Sequence, residues 1–177
     1  MNQTVDLQRL LEAARRIKAM DEAEELEASF YRFVKQAWPH VDPAEFSDNW
    51  HLEDICDHME AVARGFCPRL LLNEPPRTGK TFIVSICFTA WVWAQRTKSA
   101  LMGPHVSFFY ASYAEQLSLE HSLKCRRLIE SPWYQARWGH RVEIAADNDQ
   151  KIRFGNVAGG ERLVISVDGG VTGEGGN

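Results

Sequence analysis

Residues Arg69–Gln95 read RLLLNEPPRTGKTFIVSICFTAWVWAQ, and this stretch decides the fold class. Arg69–Asn73 is a short apolar run of the kind buried as a strand in a parallel sheet. A Pro-Pro-containing loop follows it. From Lys80 to Gln95 the chain is apolar nearly all round, which marks a helix enclosed by a sizeable fold. Strand, loop and buried helix in that order predict an α/β protein.

The loop carries Gly79-Lys80-Thr81 at the start of the helix. In a phosphate-binding loop, backbone N–H groups converge at a helix N-terminus and the helix dipole favours an anion there. In that geometry Lys80 reaches the β- and γ-phosphates of ATP and the Thr81 hydroxyl meets Mg²⁺. The predicted nucleotide-binding residues are Pro76, Arg77, Thr78, Gly79, Lys80, Thr81 and Phe82, with Lys80 and Arg77 as the catalytic pair. The standard pattern has glycine five residues before Gly79, whereas this chain has Glu74. The bland alternative is a plain turn ahead of a helix, with Arg77 solvated or paired with Glu74.

Upstream, residues 5–37 carry Leu7, Leu10, Leu11, Ala14 and Ile17, then Leu26, Phe30, Phe33 and Val34, at helical spacing. The acidic run Asp21–Glu27 reads as a break or a solvated face, and Pro39 and Pro43 close the region. A second helix is expected over His51–Arg64, with Gly65 at its C-terminus. Downstream, His105–Ala111 is a strand candidate. Ser112 and Glu115 have capping-box spacing, opening a helix to about Ile129. Ser131-Pro132 starts another by N-cap and N1 preference. Arg141–Ala145, Lys151–Phe154 and Arg162–Val167 read as short strands, with Asp147–Gln150 as a polar turn. The ending DGGVTGEGGN, too glycine-rich to pack, suggests a chain cut within a domain. The expected division is an N-terminal helical region, 1–45, and a partial P-loop ATPase domain, 46–177.

The chain has 177 residues, 45% hydrophobic and 25% charged, with net charge −4. This composition is ordinary for a soluble globular protein. No run reaches the roughly 18 apolar residues of a membrane span. The charged N-terminus lacks a signal-peptide core, so the cytosol of the cell that makes it is the expected location and no membrane partner is expected. The four cysteines, Cys56, Cys67, Cys87 and Cys125, are scattered without C-x-x-C spacing. That favours reduced, partly buried thiols over zinc or disulfides. The acidic balance argues mildly against tight DNA binding by this chain alone.

LLLNEPPRTGKT resembles the deviant Walker A loop of phage terminase large subunits, where Pro-Pro-Arg commonly replaces glycine. Asn49-Trp50-His51 and the helix after it are similar to the segment preceding that loop. Ala111-Ser112-Tyr113-Ala114, with Leu117 and Arg126–Ile129, looks like the second strand and helix of the motor domain. Gly159-Gly160 and Gly169–Gly175 resemble the glycine-rich element upstream of Walker B. The resemblance covers about residues 46 to 177. It implies a RecA-like parallel-sheet core that hydrolyses ATP with Mg²⁺ to drive double-stranded viral DNA into a procapsid. It also implies a terminase small subunit, a portal protein and a homo-oligomeric ring of motors as partners.

The family continues into an acidic Walker B strand, a coupling motif and a nuclease domain, none of which occurs in this sequence. Asp168, followed by Gly-Gly, reads as a turn residue rather than Walker B. Two rival readings remain: a catalytically inactive prophage remnant, and another P-loop NTPase such as a helicase-like ATPase or a kinase. Trp50 and His51 stand where an adenine contact could lie, but a tryptophan at a helix start is more often core. Tyr113 reads as a packing residue or a substrate contact. Trp91, Trp93, Trp133 and Trp138 read as packing. Lys124, Arg126 and Arg127 suit the helix dipole, with a DNA phosphate contact as the alternative. His105, His121 and His140 lack ligand spacing.

Overall fold

The computed structural model describes residues 3–96, 99–145 and 152–166. Its helices are α1 (Gln3–Ala28), α2 (Phe30–Ala37), α3 (Trp50–Ala63), α4 (Phe88–Ala94), α5 (Glu115–Glu130) and α6 (Pro132–Trp138). A 3₁₀ turn covers Trp38–His40 and a π-helical stretch, Phe82–Cys87, runs directly into α4. Three strands, β1 (Phe108–Ser112), β2 (Arg153–Gly155) and β3 (Glu161–Ser166), form one sheet in the order β1-β3-β2. The sheet is mixed rather than parallel throughout. β1 pairs with β3 in parallel, Phe108 opposite Arg162, and β2 pairs with β3 as an antiparallel hairpin. Among the described residues no helix is long and apolar enough to cross a membrane.

The apolar helix after the loop is the centre of the molecule. Between Ile83 and Ala94 the buried residues include Ile86, Cys87, Phe88, Trp91, Val92 and Trp93. They share one core with Phe30 and Phe33 of α2, Ile55 of α3, Leu128 of α5 and Trp138 of α6. The tryptophans satisfy their N–H groups within it: Trp91 donates to the Leu26 carbonyl at 3.0 Å and Trp93 to that of Val106 at 2.8 Å. Burial of such large rings supplies much of the core's stabilisation, and their hydrogen bonds fix orientation. Trp133 is partly buried against the same core, so all four tryptophans read as packing residues do pack.

Several local expectations require correction. The N-terminal helix is two helices, and the break is not in the acidic run but at Ser29, whose hydroxyl accepts from the Arg32 amide as an N-cap. The apolar stripe of α1 is solvent-facing in its first half, with Leu7, Leu10, Leu11 and Ile17 all exposed, and only Ala19, Ala23 and Leu26 are buried. Arg69–Asn73 is not a strand. Its residues alternate between partly buried (Leu70, Leu72) and exposed (Leu71, Asn73), as a strand edge would. No ladder partner stands beside it among the described residues.

The capping box at Ser112 does not form. Ser112 is the last residue of β1, its hydroxyl turns to Ser118 and to the Ala114 carbonyl, and α5 starts after Ala114 with no side-chain cap. Ser131 does cap α6, accepting from the Tyr134 amide at 3.2 Å. Of the expected strand Arg141–Ala145, only a single bridge from Ile144 to Asn156 exists. Asp147–Gln150, Asp168 and Gly169–Gly175 lie outside the described residues. At the β2–β3 turn, a side chain on Gly160 would sit 2.1 Å from the Pro104 carbonyl, so the close approach of that segment requires glycine.

Candidate functional site

The loop Glu74–Gly79 is folded tightly onto itself. The Thr78 hydroxyl donates to the Pro75 carbonyl at 3.0 Å. The Lys80 ammonium returns from the helix start to the Glu74 and Pro75 carbonyls. At the position where the standard motif has glycine, Glu74 therefore contributes its backbone carbonyl to hold the lysine. His51, from α3, sits 3.1 Å from the Thr78 carbonyl. A carbonyl only accepts, so Nε2 of His51 carries the proton in this contact.

Backbone conformation gives the loop its curl. Gly79 has φ 82 and Arg77 has φ 67, the latter being the one non-glycine residue with positive φ among those described. Left-handed backbone at 77 and 79, with ordinary φ at 78, is the alternation that turns successive amides to one side as an anion nest. It costs about 1–2 kcal/mol at Arg77, and such strain clusters at ligand sites. Among the described residues no oxygen takes the amides of Thr78, Gly79, Lys80 or Thr81. Those amides head the buried helix.

Two adjoining cavities open on this loop. The larger, about 530 Å³, has Pro76 through Phe82 along one wall, Asp42 and Trp38 at one side, and His121 and Lys124 of α5 opposite. The smaller, about 300 Å³, shares Trp38, Arg77, Thr78 and Gly79 and adds Phe46, Asn49 and His51. All seven residues expected at the nucleotide thus line one cleft, although Phe82 is buried and contributes packing, its ring 4.7 Å from that of Trp38. A third cavity, about 480 Å³, lies on the other side of Lys80 between Met59, Val62, Leu70 and Leu72. Its walls are mainly apolar, with Lys80, Thr81 and Ser85 along one side. The cleft of Arg77, Lys80 and Lys124 is the one suited to an anion, with Asp42 as the single carboxylate lining it.

Electrostatics agree with that choice. Burial, then the nearby charges of Lys124 and Arg162, hold the His121 pKa below its ordinary value, while Glu120 pulls it up. His121 is thus neutral in a positive environment. Asp42 is partly engaged by its own turn, accepting from the Ala44 amide at 2.9 Å. Among the described residues no group of three His, Cys, Asp or Glu side chains is placed to hold a metal ion. Thr81, exposed at the helix start, offers one hydroxyl. One protein oxygen together with phosphate oxygens and water is a donor set that Mg²⁺ accepts.

Compared with family models, curated proteins and solved structures, the chain matches none of them.

The remaining candidates separate clearly. Trp50 is not a core residue: it is 77% exposed, beside His51. Tyr113 is 79% exposed. Among the described residues no ion pair joins Arg77 to Glu74, and Arg77 lines both cavities at the loop. All four cysteines are free, three of them buried. The far wall, His121 and Lys124, is what the sequence concealed. Both lie three residues apart on one helix face, but nothing local indicates that this face looks at a loop more than forty positions earlier.

Proposed function

We propose that this chain binds ATP with Mg²⁺ and is the nucleotide-binding part of a DNA-packaging motor ATPase of the terminase large-subunit type. The observation that supports the reading best is the curled loop Pro76–Thr81, whose unpaired amides and lysine face a cleft at the head of a buried helix. In this reading Lys80 meets the β- and γ-phosphates, Thr81 holds the metal that arrives with the nucleotide, and Arg77 neutralises charge developing on the transferred phosphoryl group. Coupling to translocation of double-stranded viral DNA, and assembly with a small subunit, a portal and further copies of the motor in the host cytoplasm, belong to the same proposal. They rest on the resemblance of LLLNEPPRTGKT and the segments around it.

The parts that orient the attacking water and hold Mg²⁺ from the second side are not among the described residues. Binding is therefore the property to measure first. Titration of the chain with a fluorescent ATP analogue and Mg²⁺ is expected to saturate, and Lys80→Ala to weaken it by at least tenfold, about 1.4 kcal/mol. Equal affinity of wild type and Lys80→Ala would sink the proposal.

A further inference from the structure

We infer that Lys124, together with His121 on α5, forms the second wall of the phosphate site and reads the last phosphate of the nucleotide, giving a preference for ATP over ADP. The inference deepens the nucleotide-binding reading above and rests on it.

The two cavities at the loop differ in chemistry, and the difference orients a ligand. The smaller one contains Phe46, Asn49 and His51, a mixture of flat apolar and hydrogen-bonding groups suited to a nucleoside. Of these two, the larger alone is lined by Lys80, Thr81, His121 and Lys124. Gly79 and Thr78 are common to both. A nucleotide seated across that shared edge has its phosphates running from Gly79 past Lys80 and Thr81 toward α5. The first phosphates then lie on the loop amides, and the last comes up against Lys124.

Lys124 is suited to this contact. It is exposed on α5 and makes no ion pair or hydrogen bond among the described residues. Its neighbour Arg126, by contrast, is paired with Glu130 at 2.9 Å. The charge of Lys124 is felt at His121, one turn earlier. A lysine ammonium offers three donors as a compact charge on a flexible stem, which fits a terminal phosphate with three oxygens. ADP, one phosphate shorter, would leave it without a partner.

The test is parallel titration with ATP and ADP, each with Mg²⁺, of wild type, Lys124→Ala, Lys124→Arg and Lys80→Ala. A thermal melt of each checks folding, which an exposed lysine should not disturb. Lys124→Ala is expected to weaken ATP about tenfold and ADP less than about twofold, collapsing the preference, while Lys124→Arg retains it. An unchanged ATP-to-ADP ratio in Lys124→Ala, with binding lost in Lys80→Ala, overturns the role of Lys124 and leaves the site standing. Undiminished binding in Lys80→Ala overturns both.

Discussion

The guanidinium of Arg162 in β3 donates to the carbonyl of Ser85 at 2.6 Å, across from the sheet to the helix that the loop heads. Arg162 is 1% exposed, and its other nitrogen, Nη1, donates to the Thr89 hydroxyl at 2.7 Å. Its charge lies 3.8 Å from the Tyr110 ring centre, a cation–π contact from the neighbouring strand. The phenol of Tyr110 has one proton, which goes to the Val84 carbonyl at 3.0 Å, so the Thr89 hydroxyl must be the donor in its 3.0 Å contact with Tyr110. The donations thus run in one direction, Arg162 to Thr89 to Tyr110 to Val84.

That relay meets the helix at its π-helical stretch. The Phe88 amide reaches the Ile83 carbonyl, five residues back, instead of that of Val84. The Val84 carbonyl accepts from Tyr110 instead of from the Phe88 amide. Inserting a side chain into the helical ladder is a recognised cause of such irregularities, and π segments accompany functional sites. Tyr110→Phe removes that donor from the partly buried Val84 carbonyl. Stability to urea is expected to fall by about 1–3 kcal/mol. A change within about 0.5 kcal/mol would mean the relay does not hold the π register.

Arg77 sits in left-handed backbone at a position where glycine would be unstrained. Arg77→Gly should therefore cost little stability or raise it by up to about 1 kcal/mol, partly offset by the greater freedom of glycine in the unfolded chain. The same substitution should weaken ATP binding by removing a cation from the cleft. Arg77→Ala keeps the strain and loses the charge, so the two variants should match in affinity and differ in melting temperature. If Arg77→Gly binds ATP like wild type, the guanidinium has no part in the site.

How far these features were legible depends on the range of the interaction behind them. Ser131-Pro132 could be read as a helix start because cap and proline act within one turn. The loop stands out because its glycine, lysine and threonine are contiguous, and all three line one cleft. Arg69–Asn73 misled because an apolar run records burial, not whether a neighbouring strand is present to pair with it. Ser112 misled because β1 claimed it first, a case of tertiary pairing overriding a local cap. The π stretch was invisible, and the side chains that bond to its carbonyls, Tyr110 and Arg162, are distant in sequence from Val84 and Ser85. The exposed stripe of α1 shows the converse: helical periodicity identifies a face, not what covers it.

Glu27 ties the N-terminal helix to the rest. Its carboxylate accepts from Trp138 Nε1 at 3.0 Å and pairs with Arg141 and, at 3.4 Å, with Arg96. Both Glu27 and Arg141 side chains are mostly covered, 11% and 15% exposed. Glu27→Ala leaves the Arg141 charge and the Trp138 N–H without an acceptor. A loss of about 3 kcal/mol is expected in chemical denaturation. Glu24→Ala, whose partner Arg96 is half exposed, should cost less than about 1 kcal/mol. Equal losses in the two variants would show that burial does not decide the strength of these pairs.

In the proposed nucleotide site, His121 makes binding depend on pH. Its pKa is lowered first by burial and then by Lys124 and Arg162, with Glu120 opposing them. Without ligand, the unfolded chain binds this proton more readily than the folded one, so the histidine's contribution to stability is lost as pH falls below about 6.5. Polyphosphate in the cleft reverses the local balance, because negative charge beside the imidazole favours its protonated form. Binding should therefore take up a fraction of a proton, and affinity should rise as pH falls through the range just below neutral. Calorimetric titrations in two buffers of different ionisation enthalpy measure that uptake. The nucleotide's own titration is common to wild type and His121→Asn, so the difference between them isolates the histidine. Identical uptake in the two proteins would place His121 out of reach of the phosphates and remove α5 from the site.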